Sequence, residues 1–317
     1  MARSSNQISD EEVKKALLNS GYLLENRLEN ILRNKGYVVE ANQFYPDPDT
    51  EKSREVDITA LKAFGLDAKF EKVIFLKLII ECVNNNQPLA FITKEHQPGS
   101  NFLYPDEIKF AGMPTEVPGS HLMDSWKSIP EFFEMHKYHH YYNNRIATQF
   151  CTFTKKKKEP DKGKWVASHL EDHYQTFRKL CWVIDYLVDE QTERVEDMKQ
   201  NKLNLEFYYP LFVIQNKLLD IRQMGHTVKV LDNRHIGFKI AKFDYGEETN
   251  YQIDVVTEDF FLDYLSLIEK EMSTIASDLN SSYSVIKGAI KKKIRAKKIK
   301  KIMQRLSNRS ETFELIE

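Results

Sequence analysis

The sequence predicts an α/β fold in which a mixed sheet carries added helices. Three observations lead to this prediction. Several segments alternate apolar and polar residues with the period of two that is typical of strands, and other segments repeat apolar residues at helical spacing. In addition, a long helical segment near 168–190 separates the first strands from another near 206–215. That order is typical of a crossover between parallel strands, which favours a mixed sheet.

Residues 10–35 are predicted to form helix, with Asp10 as the cap and a break at Ser20 and Gly21. The second part, from about Ser20 to Lys35, is followed by Gly36, a residue that favours a helix C-terminus. Its apolar stripe consists of Leu24, Leu28, Ile31 and Leu32. Glu25 lies near the edge of that stripe, so its carboxylate is expected to reach the sheet.

Strands are predicted in two groups that flank the long helix. They lie near residues 37–45, 54–63, 72–83 and 89–93, and then near 206–215, 227–231, 236–241 and 250–256. Prolines 98, 105, 114 and 118 favour irregular structure between the groups. The predicted organisation is a core over residues 1–256 with an insertion around 95–167, followed by a C-terminal helical region over 257–317.

Two acidic residues on apolar strands are the main candidates for chemistry. Period-two alternation places Asp57 opposite the face of Val56 and Ile58, and it places Glu81 opposite the apolar face of its own strand. Both carboxylates are therefore expected to point away from the core. An antiparallel hairpin centred near residue 68 or 69 would set Asp57 opposite residues 79–81, close enough for one divalent ion to contact both.

Carboxylate oxygens are ligands that Mg²⁺ and Mn²⁺ prefer, and these ions polarise phosphoryl oxygens and activate water. The sequence therefore predicts Asp57 and Glu81 as ligands of Mg²⁺ or Mn²⁺. Glu25 adds a third carboxylate on the preceding helix, so the order along the chain is helix acid, strand acid, strand acid.

This ordered set resembles the restriction-endonuclease-like, or PD-(D/E)XK, nuclease superfamily. The resemblance covers roughly residues 20–93 and lies in Gly21-Tyr22-Leu23-Leu24-Glu25, Arg54-Glu55-Val56-Asp57-Ile58 and Ile80-Glu81-Cys82-Val83. It implies a restriction-endonuclease-like core in which Asp57 and Glu81 hold the metal and Glu25 assists. The carbonyl oxygen of Cys82 is a further candidate ligand.

The chain departs from the superfamily pattern two residues after Glu81. A lysine at that position orients the attacking water in the superfamily, whereas this chain has Val83. General acid/base assistance is typically worth about 10²- to 10⁴-fold in rate, so slow or absent cleavage is one expectation. Lys94, at the end of the next apolar run, is the candidate for a lysine that has changed position.

The resemblance implies a metal-dependent nuclease or a nuclease-like nucleic-acid-binding protein, acting in defence or nucleic-acid processing. As an enzyme it would be a Mg²⁺-dependent phosphodiesterase, an endonuclease or an exonuclease. The alternative is a catalytically inactive nuclease fold that acts as a protein–protein interaction module. A simpler alternative is that Glu25, Asp57 and Glu81 are ordinary solvated residues.

A basic segment near the C-terminus is the second functional clue. Lys287 to Arg305 contains ten Lys or Arg residues, no acid and a helical stripe of apolar residues. The residues expected to contact nucleic acid, with DNA as the expected form, are Lys291, Lys292, Lys293, Arg295, Lys297 and Lys298. A helix that docks through its isoleucines is an equal alternative, and the C-terminal helices are also candidates for binding a protein partner or a second copy of the chain.

Overall composition limits the other possibilities. The net charge is −1, so any attraction to nucleic acid must come from local clusters. One such cluster, the lysine-rich run 155–164, is predicted to be a solvated turn, with DNA contact as the alternative. Three cysteines without close spacing favour a reducing compartment. The polar N-terminus and the interrupted apolar runs favour a cytoplasmic protein without a membrane span.

Overall fold

The computed structural model describes most of the chain. The described residues are 8–18, 20, 22–47, 52–65, 72–95, 109–112, 116–118, 126–138, 145–158, 160, 162–169, 171–197, 203–244 and 247–313. From residue 289 onward, only the helical backbone is described.

The first half of the described chain contains α1 (Asp10–Leu18), α2 (Tyr22–Asn34), β1 (Val38–Pro46), β2 (Ser53–Phe64), β3 (Lys72–Val83), β4 (Leu89–Glu95), β5 (Lys109–Ala111), β6 (Glu116–Pro118), β7 (Trp126–Ser128), α3 (Ile129–Phe132), β8 (Arg145–Lys155) and β9 (Trp165–Ser168). The second half contains α4 (Glu171–Asp197), β10 (Leu203–Ile214), β11 (Leu218–Met224), β12 (Thr227–Asn233), β13 (His235–Asp244), β14 (Glu247–Thr257) and α5 (Phe261–Phe313). Short 3₁₀ turns precede β8 and α5.

A large mixed sheet organises the fold and confirms the predicted α/β class. Its strand order is β1-β2-β3-β10-β14-β13-β8-β4-β11-β12, and β5 and β9 pair with β10 and β8. β1, β2 and β3 are antiparallel neighbours, whereas β10 runs parallel to β3 over its whole length. The long helix α4 connects the two groups of strands, so the predicted crossover to a parallel strand is confirmed.

Helices cover both faces of the sheet and create two hydrophobic cores. One core lies between the sheet and helices α2 and α5, and we call it the α5-side core. The other lies between the sheet and α4, and we call it the α4-side core. Alternate residues of β3 enter different cores, since Ile80 belongs to the α5-side core and Ile79 to the α4-side core.

Helix α2 follows its sequence signals closely. Leu24, Leu28 and Leu32 are fully buried at helical spacing. Gly36 has φ +82, and the N–H of Tyr37 donates to the carbonyl of Leu32, which ends the helix as predicted. The cap of α1 was predicted incorrectly. Ser9, not Asp10, exchanges side-chain and backbone hydrogen bonds with Glu12, which forms a capping box.

Some strands do not match the prediction. Residues 145–155 form β8, although no strand was predicted between residues 93 and 206. Strand β11 was missed because its seven residues include Asp220 and Arg222, a buried acid and a partly exposed arginine that pair with each other and interrupt the apolar pattern. Tertiary packing determined both strands, and local patterning therefore gave little warning of them.

Helix α5 is a single helix of 53 residues. Its first half belongs to the α5-side core, since Ile268, Met272 and Ile286 are fully buried. The predicted C-terminal helical region therefore completes the hydrophobic core of the sheet at least as far as Ile286.

Candidate active site

The hairpin formed by β2 and β3 brings Asp57 and Glu81 together. The two strands are antiparallel, with Ile58 opposite Ile80, so the predicted pairing is confirmed with its centre at residue 69. Asp57 Oδ2 accepts a hydrogen bond of 2.7 Å from the backbone N–H of Cys82. The Asp57 carboxylate therefore reaches across the strand pair to the residue that follows Glu81.

Strand β2 changes its facing at Asp57. Val56 packs in the α4-side core, whereas Ile58 packs in the α5-side core, although regular alternation would place them together. The prediction that Val56 and Ile58 share one face was therefore wrong. On β1 the register pairs Ala41 with Ile58 and Gln43 with Val56, and the intervening Asn42 has φ +54. Such local irregularities re-aim side chains and often lie beside functional sites.

Glu81 is buried beneath helix α4, contrary to the prediction that it points away from the core. The residue is 4% exposed. Its Oε1 atom lies 2.6 Å from Nζ of Lys179, and the same Nζ donates to the carbonyl oxygen of Glu55 at 2.7 Å. The prediction considered Glu81 on its own strand, but the second face of this sheet is covered by α4.

The charge of Glu81 is incompletely compensated. Burial raises the pKa of its carboxyl to about 8, and the negative charge of Asp57 acts in the same direction. The Lys179 ammonium and the backbone N–H of Asp57 oppose this shift. A carboxylate with a strongly raised pKa and a specific charged partner is characteristic of functional sites, although structural ion pairs also produce such shifts.

Asp57 and Glu25 belong to the same electrostatic environment. Burial raises the pKa of Asp57, while the N–H of Cys82 and the charge of Lys179 act in the opposite direction. Burial also raises the pKa of the half-buried Glu25, and the next contributions come from Asp57 and Glu55. Helix α2 therefore positions Glu25 where its charge interacts with that of Asp57.

Lys179 was not predicted from the sequence. It lies on α4 between the buried residues Phe177 and Leu180. The helical pattern located this helix, but it did not indicate which of its residues would lie over Glu81. That information depends on the angle at which α4 packs on β3, which the spacing of apolar residues does not specify.

Positions 83 and 94, which were considered for a catalytic lysine, do not place a lysine beside the carboxylates. Val83 packs against the α4-side core. Lys94 lies on β4, and four strands separate β4 from β3 in the sheet. Its side chain lines a separate cavity of about 590 Å³ together with Thr148, Lys239 and Asn250. The structure therefore does not bring Lys94 to the carboxylates.

The end of β3 is fixed by two asparagines. Asn84 Nδ2 donates to the carbonyl oxygens of Leu18 and Ser20, which lie where α1 gives way to α2. Asn85 accepts from the backbone N–H of Asn216 after β10. These bonds hold the segment before α2 and the end of β10 at the same end of the sheet as Glu81.

The predicted metal ligands are two carboxylates and one carbonyl oxygen on neighbouring strands. Within the ranges described above, no group of three or more His, Cys, Asp or Glu side chains is arranged to hold a metal ion. The backbone N–H of Cys82 is used by Asp57. The role predicted for its carbonyl oxygen stays a prediction.

The predicted nucleic-acid contacts of the tail lie within α5. Lys291, Lys292, Lys293, Arg295, Lys297 and Lys298 continue the helix that is packed as far as Ile286. Their side chains lie outside the described part of the chain, and their binding to nucleic acid stays a prediction.

Comparison of the chain with protein-family models, curated proteins and solved structures finds no match. In the described part of the chain, no helix is long and apolar enough to cross a membrane.

Proposed function

We propose that this chain is a divalent-metal-dependent nuclease whose site consists of Asp57, Glu81, Lys179 and Glu25. The observation that carries the proposal is the position of Lys179, with Nζ 2.6 Å from Oε1 of Glu81. The Lys179 ammonium of α4 thus lies beside Glu81. The strand position at which the superfamily has its lysine is Val83 in this chain.

The order of elements supports a restriction-endonuclease-like core. A helix bearing Glu25 precedes three antiparallel strands. After a segment that contains β4 to β9 and α3, helix α4 follows, and the next strand, β10, is parallel to β3. The two acids lie on the second and third of these strands, next to the crossover helix. The proposed core is therefore α2, β1, β2, β3, α4 and β10, to which the remaining strands and α5 are added.

The acids are chemically suited to Mg²⁺ or Mn²⁺. Burial and the repulsion between neighbouring acids raise the pKa values of all three carboxyl groups. A bound cation would therefore stabilise their negative charge. Mg²⁺ commonly uses one or two protein carboxylates and completes its coordination with water and substrate phosphate. Asp57 and Glu81 are sufficient for this arrangement, and Glu25 is available for a water-mediated contact.

The side chains of this site have separate roles in the proposed reaction. When bound, the metal would polarise a phosphoryl oxygen and lower the pKa of a water molecule. Asp57 is oriented by the N–H of Cys82, and Glu81 is oriented by burial under α4. The Lys179 ammonium would hold the attacking water and stabilise negative charge as it develops on the phosphate. The Glu55 carbonyl fixes this ammonium.

A cleavage assay tests the proposal directly. Single- and double-stranded DNA and RNA would be incubated with Mg²⁺, Mn²⁺ or chelator, using the parent, Asp57→Asn and Glu81→Gln. We expect metal-dependent cleavage by the parent and a loss of at least about 10²-fold in each variant, the scale of losing a charge-stabilising group. The matched control is Asp185→Asn. It removes a carboxylate on α4 that also pairs with a lysine, Lys242, but lies outside the proposed site.

The outcomes separate the proposal from its alternatives. Equal cleavage by the parent and both site variants would assign the activity to a contaminant. No cleavage by folded parent protein on any substrate would favour the inactive interaction module. One observation favours that second function: Lys179 already pairs with Glu81 and would have to move or share the carboxylate when a metal binds.

A further inference from the structure

The hairpin between β8 and β9 is built differently from an ordinary solvated charge run. Residues 155–165, which we call the lysine hairpin, contain six lysines and two acids. The turn is closed by hydrogen bonds from the N–H of Lys156 to the carbonyl of Lys164 and from the N–H of Gly163 to the carbonyl of Lys156. Gly163 has φ +85, which favours glycine. These bonds fix the backbone at Lys156, Gly163 and Lys164, where the two strands of the hairpin end.

The base of the hairpin carries an exposed aromatic ring. Lys155 pairs with Trp165 across the two strands, and Lys155 Nζ lies 5.0 Å from the centroid of the Trp165 ring. Trp165 is 54% exposed. A large ring at the base of a hairpin that also exposes Lys157, Lys158 and Lys162 combines a stacking surface with positive charge.

The hairpin extends from the end of the sheet that holds the carboxylates. Strand β4 starts at Leu89, six residues after β3 ends at Val83, and Ala90 pairs with Cys151 of β8. β8 then continues to Lys155, beyond the start of β4. On the other side of the hairpin, α4 begins at Glu171 and reaches Lys179 after about 12 Å of helix.

We propose that the lysine hairpin binds a single-stranded segment of nucleic acid, with phosphates on its lysines and a base stacked on Trp165. The inference rests on the proposed function and adds to it the part of the protein that holds the substrate. Aromatic rings beside cationic side chains bind single strands with little sequence preference, since every base presents a π face. The net charge of the whole chain is −1, so a local cluster must provide the attraction.

Binding of a fluorescent single-stranded oligonucleotide in chelator, measured by anisotropy across a salt series, tests this inference without cleavage. The hairpin variant combines Lys157→Gln, Lys158→Gln and Lys162→Gln in the full chain. We expect at least about tenfold weaker binding and a salt slope smaller by about 2, because each single-strand phosphate contact contributes about 0.7. Trp165→Ala should weaken binding by about tenfold without changing the slope, and Trp165→Phe should retain most of the affinity.

Two comparison variants remove the same charge elsewhere. The matched control changes the exposed Lys137, Lys229 and Lys270 to Gln and should bind within about twofold of the parent, since it removes no contact at the hairpin. The other variant changes Lys291, Lys292 and Lys293 of the tail to Gln and measures the competing site that the sequence predicts there. Thermal melting would establish that every variant is folded.

The outcomes also distinguish this inference from the proposed function. Parent-like affinity and slope in the hairpin variant would overturn the inference, as would a loss that occurs in the tail variant instead. Metal-dependent cleavage with an unchanged KM in the hairpin variant would overturn the inference and leave the nuclease function standing. Hairpin-dependent binding by a parent that never cleaves would contradict the nuclease function and support the binding site.

Discussion

Glu81 and Asp220 are both buried carboxylates on strands of the same sheet, and each lies beside a cation. Asp220 is 2% exposed and Glu81 is 4% exposed. Asp220 Oδ2 accepts from Nε and Nη2 of Arg222 at 2.8 and 2.6 Å, and Oδ1 accepts from the hydroxyl of Thr93. Arg145 in turn donates to that hydroxyl at 2.9 Å. Both carboxylate oxygens of Asp220 are thus used in one hydrogen-bonded network.

The surroundings of Glu81 are less complete. Its cation is a single ammonium, which also serves the carbonyl oxygen of Glu55, and a second acid, Asp57, lies on the adjacent strand. Burial raises the pKa of Glu81, and the charge of Asp57 adds to that shift. A buried carboxylate that is satisfied on all sides stabilises the packing around it, whereas one with unmet charge has a reason to bind another cation. The comparison therefore favours a structural role for Asp220 and supports the proposal that Glu81 belongs to a functional site.

The largest expected effect concerns Lys179. Lys179→Met keeps an unbranched side chain of similar length and removes the charge, so folding should persist while the rate of metal-dependent cleavage falls by about 10²- to 10⁴-fold. The measurement is single-turnover cleavage with saturating protein. Arg178→Met is the matched control, since Arg178 stacks on Trp182 on the same helix.

Val83→Lys makes this prediction more specific. Side chains two residues apart on a strand share a face, so the lysine introduced in this way would approach the site from β3. We expect it to raise the cleavage rate of the Lys179→Met variant by at least about tenfold and to change the cleavage rate of the parent little. If the introduced lysine accelerates the parent as much as the variant, Lys179 does not fill the role assigned to it.

The second prediction compares the stability of variants at the two acids. Asp220→Ala should lower the free energy of unfolding at pH 7 by about 2 to 3 kcal/mol, a range reduced for the partial exposure of Arg222. Glu81→Gln should change it by less than about 1 kcal/mol, since the raised pKa makes a neutral side chain an acceptable replacement at that pH. Urea unfolding monitored by circular dichroism measures both. A larger loss in Glu81→Gln would place the structural role at Glu81 instead.

The same two regions show how far sequence patterning extends. The carboxylate pair was predictable because both residues lie on one hairpin, where strand period and turn position fix the register. Helices α2 and α4, strands β1 to β4 and the crossover to β10 were also predictable from periodicity. The chain neighbours of Glu81 gave no sign that α4 would bury it.

The sequence pattern did not predict contacts between segments that are far apart along the chain. Lys179 is separated from Glu81 by 98 positions along the chain, and Asp220 lies on a strand that the pattern missed. The change of facing at Asp57 lies beside Asn42 of the neighbouring strand, whose positive φ is not signalled by a glycine. Each of these features depends on tertiary packing, which local propensity does not encode.

The smallest expected effect is a pH dependence of metal binding at Glu81 that Asp220 should not influence. The folded-state pKa of Glu81 is raised from 4.5 to about 8, so a proton competes with a cation at this carboxylate below that value. Mn²⁺ affinity measured by calorimetry should increase by about tenfold per pH unit from pH 6 and level off above about pH 8. The slope should disappear in Glu81→Gln and persist in Asp220→Asn. Affinity that is constant from pH 6 to 8 in the parent would show that Glu81 is not a ligand, and the buried pair with Lys179 would then be structural in the same sense as the pair of Asp220 with Arg222.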